Sequence, residues 1–154
     1  MKNPPSALVI DASVGVRLFS NEEGADEVAL FFDCAAACAD LRLCVPELFF
    51  VECANVFLKQ ALRGDYSASM ARKNLVALRA LAFKPYPIEI FAIEAFDLAA
   101  RYGTSAYDAL YACLANSLKT TLVTCDARLI RALSGSAISL SDPVAASRLV
   151  ATHS

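Results

Sequence analysis

The chain has 154 residues, 57% of them hydrophobic and 19% charged, with a formal net charge of −2. That length suits one domain whose core needs neither disulfide nor metal to hold it, and the apolar excess excludes disorder. The longest runs without Asp, Glu, Lys or Arg are 10 residues (109–118 and 132–141), about half of a membrane span, and no basic run exists to bind nucleic acid through a strong positive field alone.

Residues 1–5 are followed by only four uninterrupted apolar residues, too few for a secretory signal, so a cytoplasmic chain is expected. Those residues, 7–10, read Ala-Leu-Val-Ile and stop at Asp11, the pattern of a buried strand. Helices are predicted over 13–20 and about 22–39, and a second strand over 41–45. Pro46 stops that strand and opens a helix to about Arg63, ended by Gly64. Ser67 caps a helix to about residue 82, with Ala71, Leu75, Leu78 and Ala82 on one stripe. Residues 84–87 form a weak strand, because Pro85 and Pro87 limit its pairing. Helices over 89–101 and 106–119 flank Gly103; a strand at 121–124, a helix at 127–133 and a strand at 137–140 follow. Short apolar strands alternating with helices imply a parallel sheet covered on both faces. The expected fold is a three-layer α/β/α sandwich around a central four- or five-stranded, mainly parallel sheet. It forms one domain over 1–154, with a core of about 7–140 and a short tail over 141–154. The strand order is not encoded in this pattern.

Chemistry is bounded by what is scarce. The only histidine is His153, which nearly excludes histidine general bases and histidine metal sites. The six cysteines, Cys34, Cys38, Cys44, Cys53, Cys113 and Cys125, contain no C-x-x-C pair, and zinc would want two such pairs or added histidines. Cys34 and Cys38 share one helix face; the cysteines are expected to pack as small hydrophobes. Catalysis therefore rests on carboxylates, hydroxyls, thiols or lysine.

Sites in open α/β sheets lie outside the carboxyl ends of the strands, where Asp11 and Asp126 sit. Singly, the acids have simpler explanations: Asp11 and Asp126 precede helices they could cap, as could Ser13, and Ser105-Ala-Tyr-Asp108 fits a capping box. Glu52 resists that reading. It lies on an apolar helix within Leu-Phe-Phe-Val-Glu-Cys-Ala-Asn-Val-Phe-Leu, with no Lys or Arg three or four residues away, and burying it unpaired would cost several kcal/mol. Asp11, Asp108 and Asp126 also lack a base at those offsets, which suggests one pocket of four acids. Crowded carboxylates repel and raise one another's pKa. A divalent cation relieves the repulsion, and an oxygen-only donor set suits Mg²⁺ or Mn²⁺ rather than zinc. Ser13, Thr124 and Asn55 are expected to support the carboxylates.

Four segments in order resemble those of PIN-domain ribonucleases, and within them the VapC-like toxins of type II toxin–antitoxin pairs. Val9-Ile-Asp11-Ala-Ser13-Val is similar to the opening strand and first acid of that family, and Pro46-Glu-Leu-Phe-Phe-Val-Glu52-Cys-Ala-Asn55-Val-Phe to the helix with the second. Tyr107-Asp108-Ala-Leu-Tyr111-Ala-Cys-Leu-Ala resembles the segment of the third, and Leu122-Val-Thr124-Cys-Asp126-Ala-Arg-Leu that of the fourth. The resemblance runs over about 8–140, and Cys125 departs from the pattern. It implies a Mg²⁺- or Mn²⁺-dependent endoribonuclease that leaves a 5′-phosphate and a 3′-hydroxyl. Asp11, Asp108 and Asp126 would be metal ligands, and Glu52 a further ligand or the residue that orients the attacking water. It also implies an RNA substrate, a separate antitoxin chain and a homodimer, with apolar surface near the early helices, such as Leu30-Phe-Phe, as the antitoxin contact.

Two other readings differ in class. An Asp-nucleophile phosphatase or phosphotransferase would want a second Asp two residues after Asp11, where Ser13 stands, and a lysine near the metal, for which Lys119 is the only lysine after Lys84. A catalytically silent interaction protein on the same fold would have no need of all four acids.

Overall fold

The computed structural model describes residues 6–151; residues 1–5 and His153 lie outside the described residues. β1 (Ala7–Ile10) is buried at every position, as an unbroken apolar run in a central strand should be. It pairs in parallel with β2 (Arg42–Pro46) on one side and β4 (Leu122–Val123) on the other. β3 (Phe83–Tyr86) adds to β2, and β5 (Leu140–Ser141) adds to β4, both in parallel. The five-stranded order is therefore β3-β2-β1-β4-β5. Pro85 lies on the edge strand β3, where a missing N–H is tolerated.

The helices form the two outer layers. α5 (Ala92–Tyr102) packs on α6 (Ala106–Ser117), and α6 lies directly on β1, β2 and β4. Residues 109–115 of α6 are buried without exception, which marks a helix enclosed on all sides. The other layer is a chain of neighbours: α4 (Ala68–Arg79) on α3 (Phe49–Arg63), α3 on α1 (Ala12–Arg17), α1 on α2 (Ala25–Ala37), and α2 on α8 (Pro143–Ala151). α1 and α3 approach so closely at Gly15 that a Cβ there would lie 2.7 Å from the Phe49 ring. α7 (Ala127–Leu133) joins β4 to β5.

Several local expectations shift. Pro46 ends β2, in register with Tyr86, rather than opening a helix; α3 begins at Phe49 and stops at Gly64, whose φ of 85° suits glycine. The segment after 141 folds into α8, which buries Pro143, Ala146, Ser147 and Val150. Cys38 stands past the end of α2 in extended backbone, so it does not share a helix face with Cys34. All six cysteines are free thiols, with Cys44, Cys53 and Cys113 buried.

Candidate active site

The strand order reverses at β1: the chain builds β2 and β3 to one side, then returns to place β4 and β5 on the other. Such a switch point opens a crevice at the carboxyl ends of the strands. Ile10 pairs with Val123, and the Asp11 N–H donates to the Val123 carbonyl at 3.0 Å, so the residues after β1 and β4 meet in that crevice.

Asp11 is buried there at 6% exposure. It precedes α1 but makes no side-chain cap. Its Oδ2 instead accepts from Ser13 Oγ at 2.5 Å and from Thr124 Oγ1 at 2.8 Å. Both hydroxyls are themselves held: Ser13 Oγ accepts from the Cys125 N–H and Thr124 Oγ1 from the Asp126 N–H, each at 3.0 Å. Two of the three expected supports, Ser13 and Thr124, thus hydrogen-bond the Asp11 carboxylate. Burial pushes the Asp11 pKa up, the hydroxyl bonds oppose the rise, and the Asp108 charge adds to it.

Glu52 comes from α3 and Asp108 from the first turn of α6. The Glu52 pKa is raised from 4.5 to about 7, first by burial and then by the Asp11 charge, with Asp108 adding a smaller push. Tyr111, one turn beyond Asp108, donates its hydroxyl to Glu52 Oε1 at 3.2 Å. Asp108 also closes the expected capping box: its N–H donates to Ser105 Oγ at 3.0 Å, and its Oδ2 accepts from Ser105 Oγ at 2.8 Å. Capping and membership of the acidic cluster are therefore compatible in one residue.

Asp126 behaves differently. Its Oδ1 caps α7 by accepting from the N–H groups of Arg128 and Leu129 at 2.8 and 3.3 Å, and its Oδ2 lies 3.6 Å from the Arg128 guanidinium. Asp126 is not among the charges that raise Asp11 or Glu52. Asn55 is exposed, and among the described residues it has no hydrogen bond to any of the four acids. The structure thus brings together Asp11, Glu52 and Asp108 with Ser13 and Thr124, sets Asp126 beside them in a capping role, and leaves Asn55 outside. Tyr111 was legible only as part of a motif; no spacing rule ties it to Glu52, 59 residues away.

The PIN-domain family pattern matches residues 8–133, which span every element from β1 to α7. The chain belongs to the PIN-domain family. Within it the chain is VapC-like: it is 33% identical over 122 residues to the VapC ribonuclease Mb0985 of Mycobacterium bovis and, equally, to ribonuclease VapC9 of Mycobacterium tuberculosis, covering 79% of this chain and 87% of each relative. The fold matches PAE2754 from Pyrobaculum aerophilum with a TM-score of 0.71 at 24% identity, over 95% of this chain and 98% of that one. VapBC-1 from nontypeable Haemophilus influenzae follows at 0.60 and 14%, over 89% and 98%. FitAcB from Neisseria gonorrhoeae gives 0.54 and 15%, over 88% and 97%.

The donor set of this PIN domain suits a hard cation. Among the described residues, no Lys or Arg forms an ion pair with Asp11, Glu52 or Asp108. Also among them, no three His, Cys, Asp or Glu side chains stand close enough to cage a metal by themselves. Mg²⁺ does not need such a cage, since it keeps several waters and takes one or two carboxylates plus substrate phosphate. Asp11 with one further carboxylate, neither ion-paired to Lys or Arg among the described residues, fits that mode of binding.

Proposed function

We propose that this PIN domain is a Mg²⁺- or Mn²⁺-dependent endoribonuclease and the toxin of a toxin–antitoxin pair, acting in the cytoplasm. The observation that carries the reading is the raised pKa of Asp11 and Glu52, each pushed up by burial and by neighbouring carboxylates that include Asp108, with no Lys or Arg ion-paired to any of the three among the described residues. Asp11 and Asp108 would hold the ion, with Asp126 joining them only by giving up its cap of α7. Bound there, the ion would supply positive charge to the phosphate and lower the pKa of the attacking water. Asp11 can offer only one free oxygen, because Oδ2 is taken by Ser13 and Thr124. Glu52, pushed up to about 7 in the metal-free chain by burial and the Asp11 charge, would hold the attacking water in line with the phosphorus and take its proton once ionised.

The likeness to ribonucleases named VapC supports RNA as the substrate and a separate antitoxin chain as the partner. Exposed apolar side chains offer two surfaces for such contacts. One is the groove between α3 and α4, beside Ala54, Leu58 and Leu75; the other is formed by Ile90, Ile93 and Phe96 and suits a second copy of the chain. The early-helix triplet contributes less than its sequence suggests, because Phe31 is buried and only Leu30 is fully outward. The Asp-nucleophile reading is disfavoured by position. Lys119 precedes β4 and so stands at the amino end of the sheet, beside Thr120, whose hydroxyl donates to the carbonyl of Ala7 at the start of β1. The test is cleavage of cellular RNA by purified protein: activity in Mg²⁺ or Mn²⁺ that EDTA abolishes supports the reading, and metal-independent cleavage, or none in either metal, contradicts it.

A further inference from the structure

Tyr111 is the largest fully buried side chain of the described residues, at 0% exposure, yet it carries a hydroxyl. A buried hydroxyl needs a partner, and the partner here is Oε1 of Glu52. The pairing joins α6 to α3 across the crevice, 59 residues apart in sequence. Its neighbours along α6 from Ala109 to Ala115 are all buried and apolar, so the Tyr111 hydroxyl is the one hydroxyl of that stretch. Glu52 in turn has no other hydrogen-bond partner for its carboxylate among the described residues, so this one bond decides how the carboxylate is turned. Burial and the neighbouring Glu52 and Asp11 charges push ionisation of the Tyr111 hydroxyl up, which keeps it a neutral donor and never a competing base.

We propose that Tyr111 is a positioning residue that pins Glu52 through Oε1 and so reserves Oε2 for the water that attacks the phosphodiester. The proposal rests on the ribonuclease reading and adds to it a residue outside the acidic set. No group is transferred by Tyr111; its hydroxyl proton stays on the phenol while Glu52 holds the water.

The test is Tyr111→Phe, which deletes one hydroxyl and keeps the ring, examined alone and in a Glu52→Gln background. In Mn²⁺ with enzyme in excess over a pool of cellular RNAs, the single-turnover rate at saturation should fall at least about tenfold, while the enzyme concentration giving half-saturation stays within about twofold. Added to Glu52→Gln, the same change should do nothing further, since the residue it positions has lost its carboxylate. A second readout needs neither metal nor RNA. At pH 9, above the Glu52 pKa of about 7, the carboxylate infrared band assigned by difference against Glu52→Gln should shift when Tyr111 loses its hydroxyl. An unchanged rate in Tyr111→Phe beside an active parent chain overturns the proposal and leaves the ribonuclease reading standing. An equal loss in both backgrounds, or an early metal-free melting transition in Tyr111→Phe with an unmoved infrared band, marks the hydroxyl as structural and also overturns it. An inactive parent chain overturns the ribonuclease reading and the role of Tyr111 within it.

Discussion

Thr124 Oγ1 donates to Asp11 Oδ2 at 2.8 Å, joining residues 113 positions apart at the ends of two adjacent strands. The bond exists because β1 and β4 pair in register, Ile10 with Val123, so the next residue on each strand emerges beside the other. The Asp126 N–H donates to the same hydroxyl, so its proton is directed at the carboxylate. A buried carboxylate with one oxygen fixed in this way is held in one orientation by the protein alone.

Replacing Thr124 with Val keeps the shape and removes the donor. Mn²⁺ affinity should fall about 10- to 100-fold, the usual consequence of losing a group that orients a ligand. Titration of Mn²⁺ by calorimetry checks this. Equal affinity in both proteins would mean that the hydroxyl serves only the fold.

Asp126 is expected to matter to α7 more than to the cation. Asp126→Asn should leave the melting temperature nearly unchanged, because asparagine caps as well as aspartate, whereas Asp126→Ala should lose about 1 kcal/mol of stability. The pairing with exposed Arg128 adds little. Cleavage by Asp126→Asn should be impaired far less than cleavage by Asp11→Asn. Equal losses in the two would show that Asp126 leaves its cap to join the ligands.

Glu52 and Asp11 both hold protons more tightly in the folded chain than ordinary carboxylates do. Between pH 4.5 and about 7 the folded state therefore binds more protons at Glu52 than the unfolded state. Its contribution to stability is present below pH 4.5 and is lost as pH rises through about 7. In EDTA the melting temperature should fall from pH 5 to pH 8, and Glu52→Gln should flatten part of that slope. Parallel pH profiles for the two proteins would contradict the raised pKa.

Much of this was legible from sequence because it depends on short-range rules. The apolar runs at 7–10 and 122–123, the proline-weakened strand, the Ser67 and Ser105 caps and a helix after Ser105 all follow from local composition. The strand order was not, because parallel pairing is decided by how helices cover the sheet. Helix α8 was missed because its burial against α2 arises from a distant partner. The candidate site divides the same way. Glu52 stood out as an acid on an apolar helix, and the structure puts it within reach of the Asp11 and Asp108 charges. Asn55 has a suitable side chain one turn further along, but it is exposed. Helical spacing alone did not distinguish it from a residue facing the acids.

The most direct test of the central claim is single-turnover cleavage of a pool of cellular RNAs in Mg²⁺ or Mn²⁺ by the parent chain and by Asp108→Asn, each with a melting curve. Asparagine in the first turn of α6 keeps the size of the side chain and its ability to accept from Ser105, so folding should barely change. If Asp108 holds the catalytic cation, cleavage should fall at least about a hundredfold, or roughly 2.7 kcal/mol of barrier. Full activity in Asp108→Asn beside an active parent chain would return Asp108 to its capping box and contradict the account.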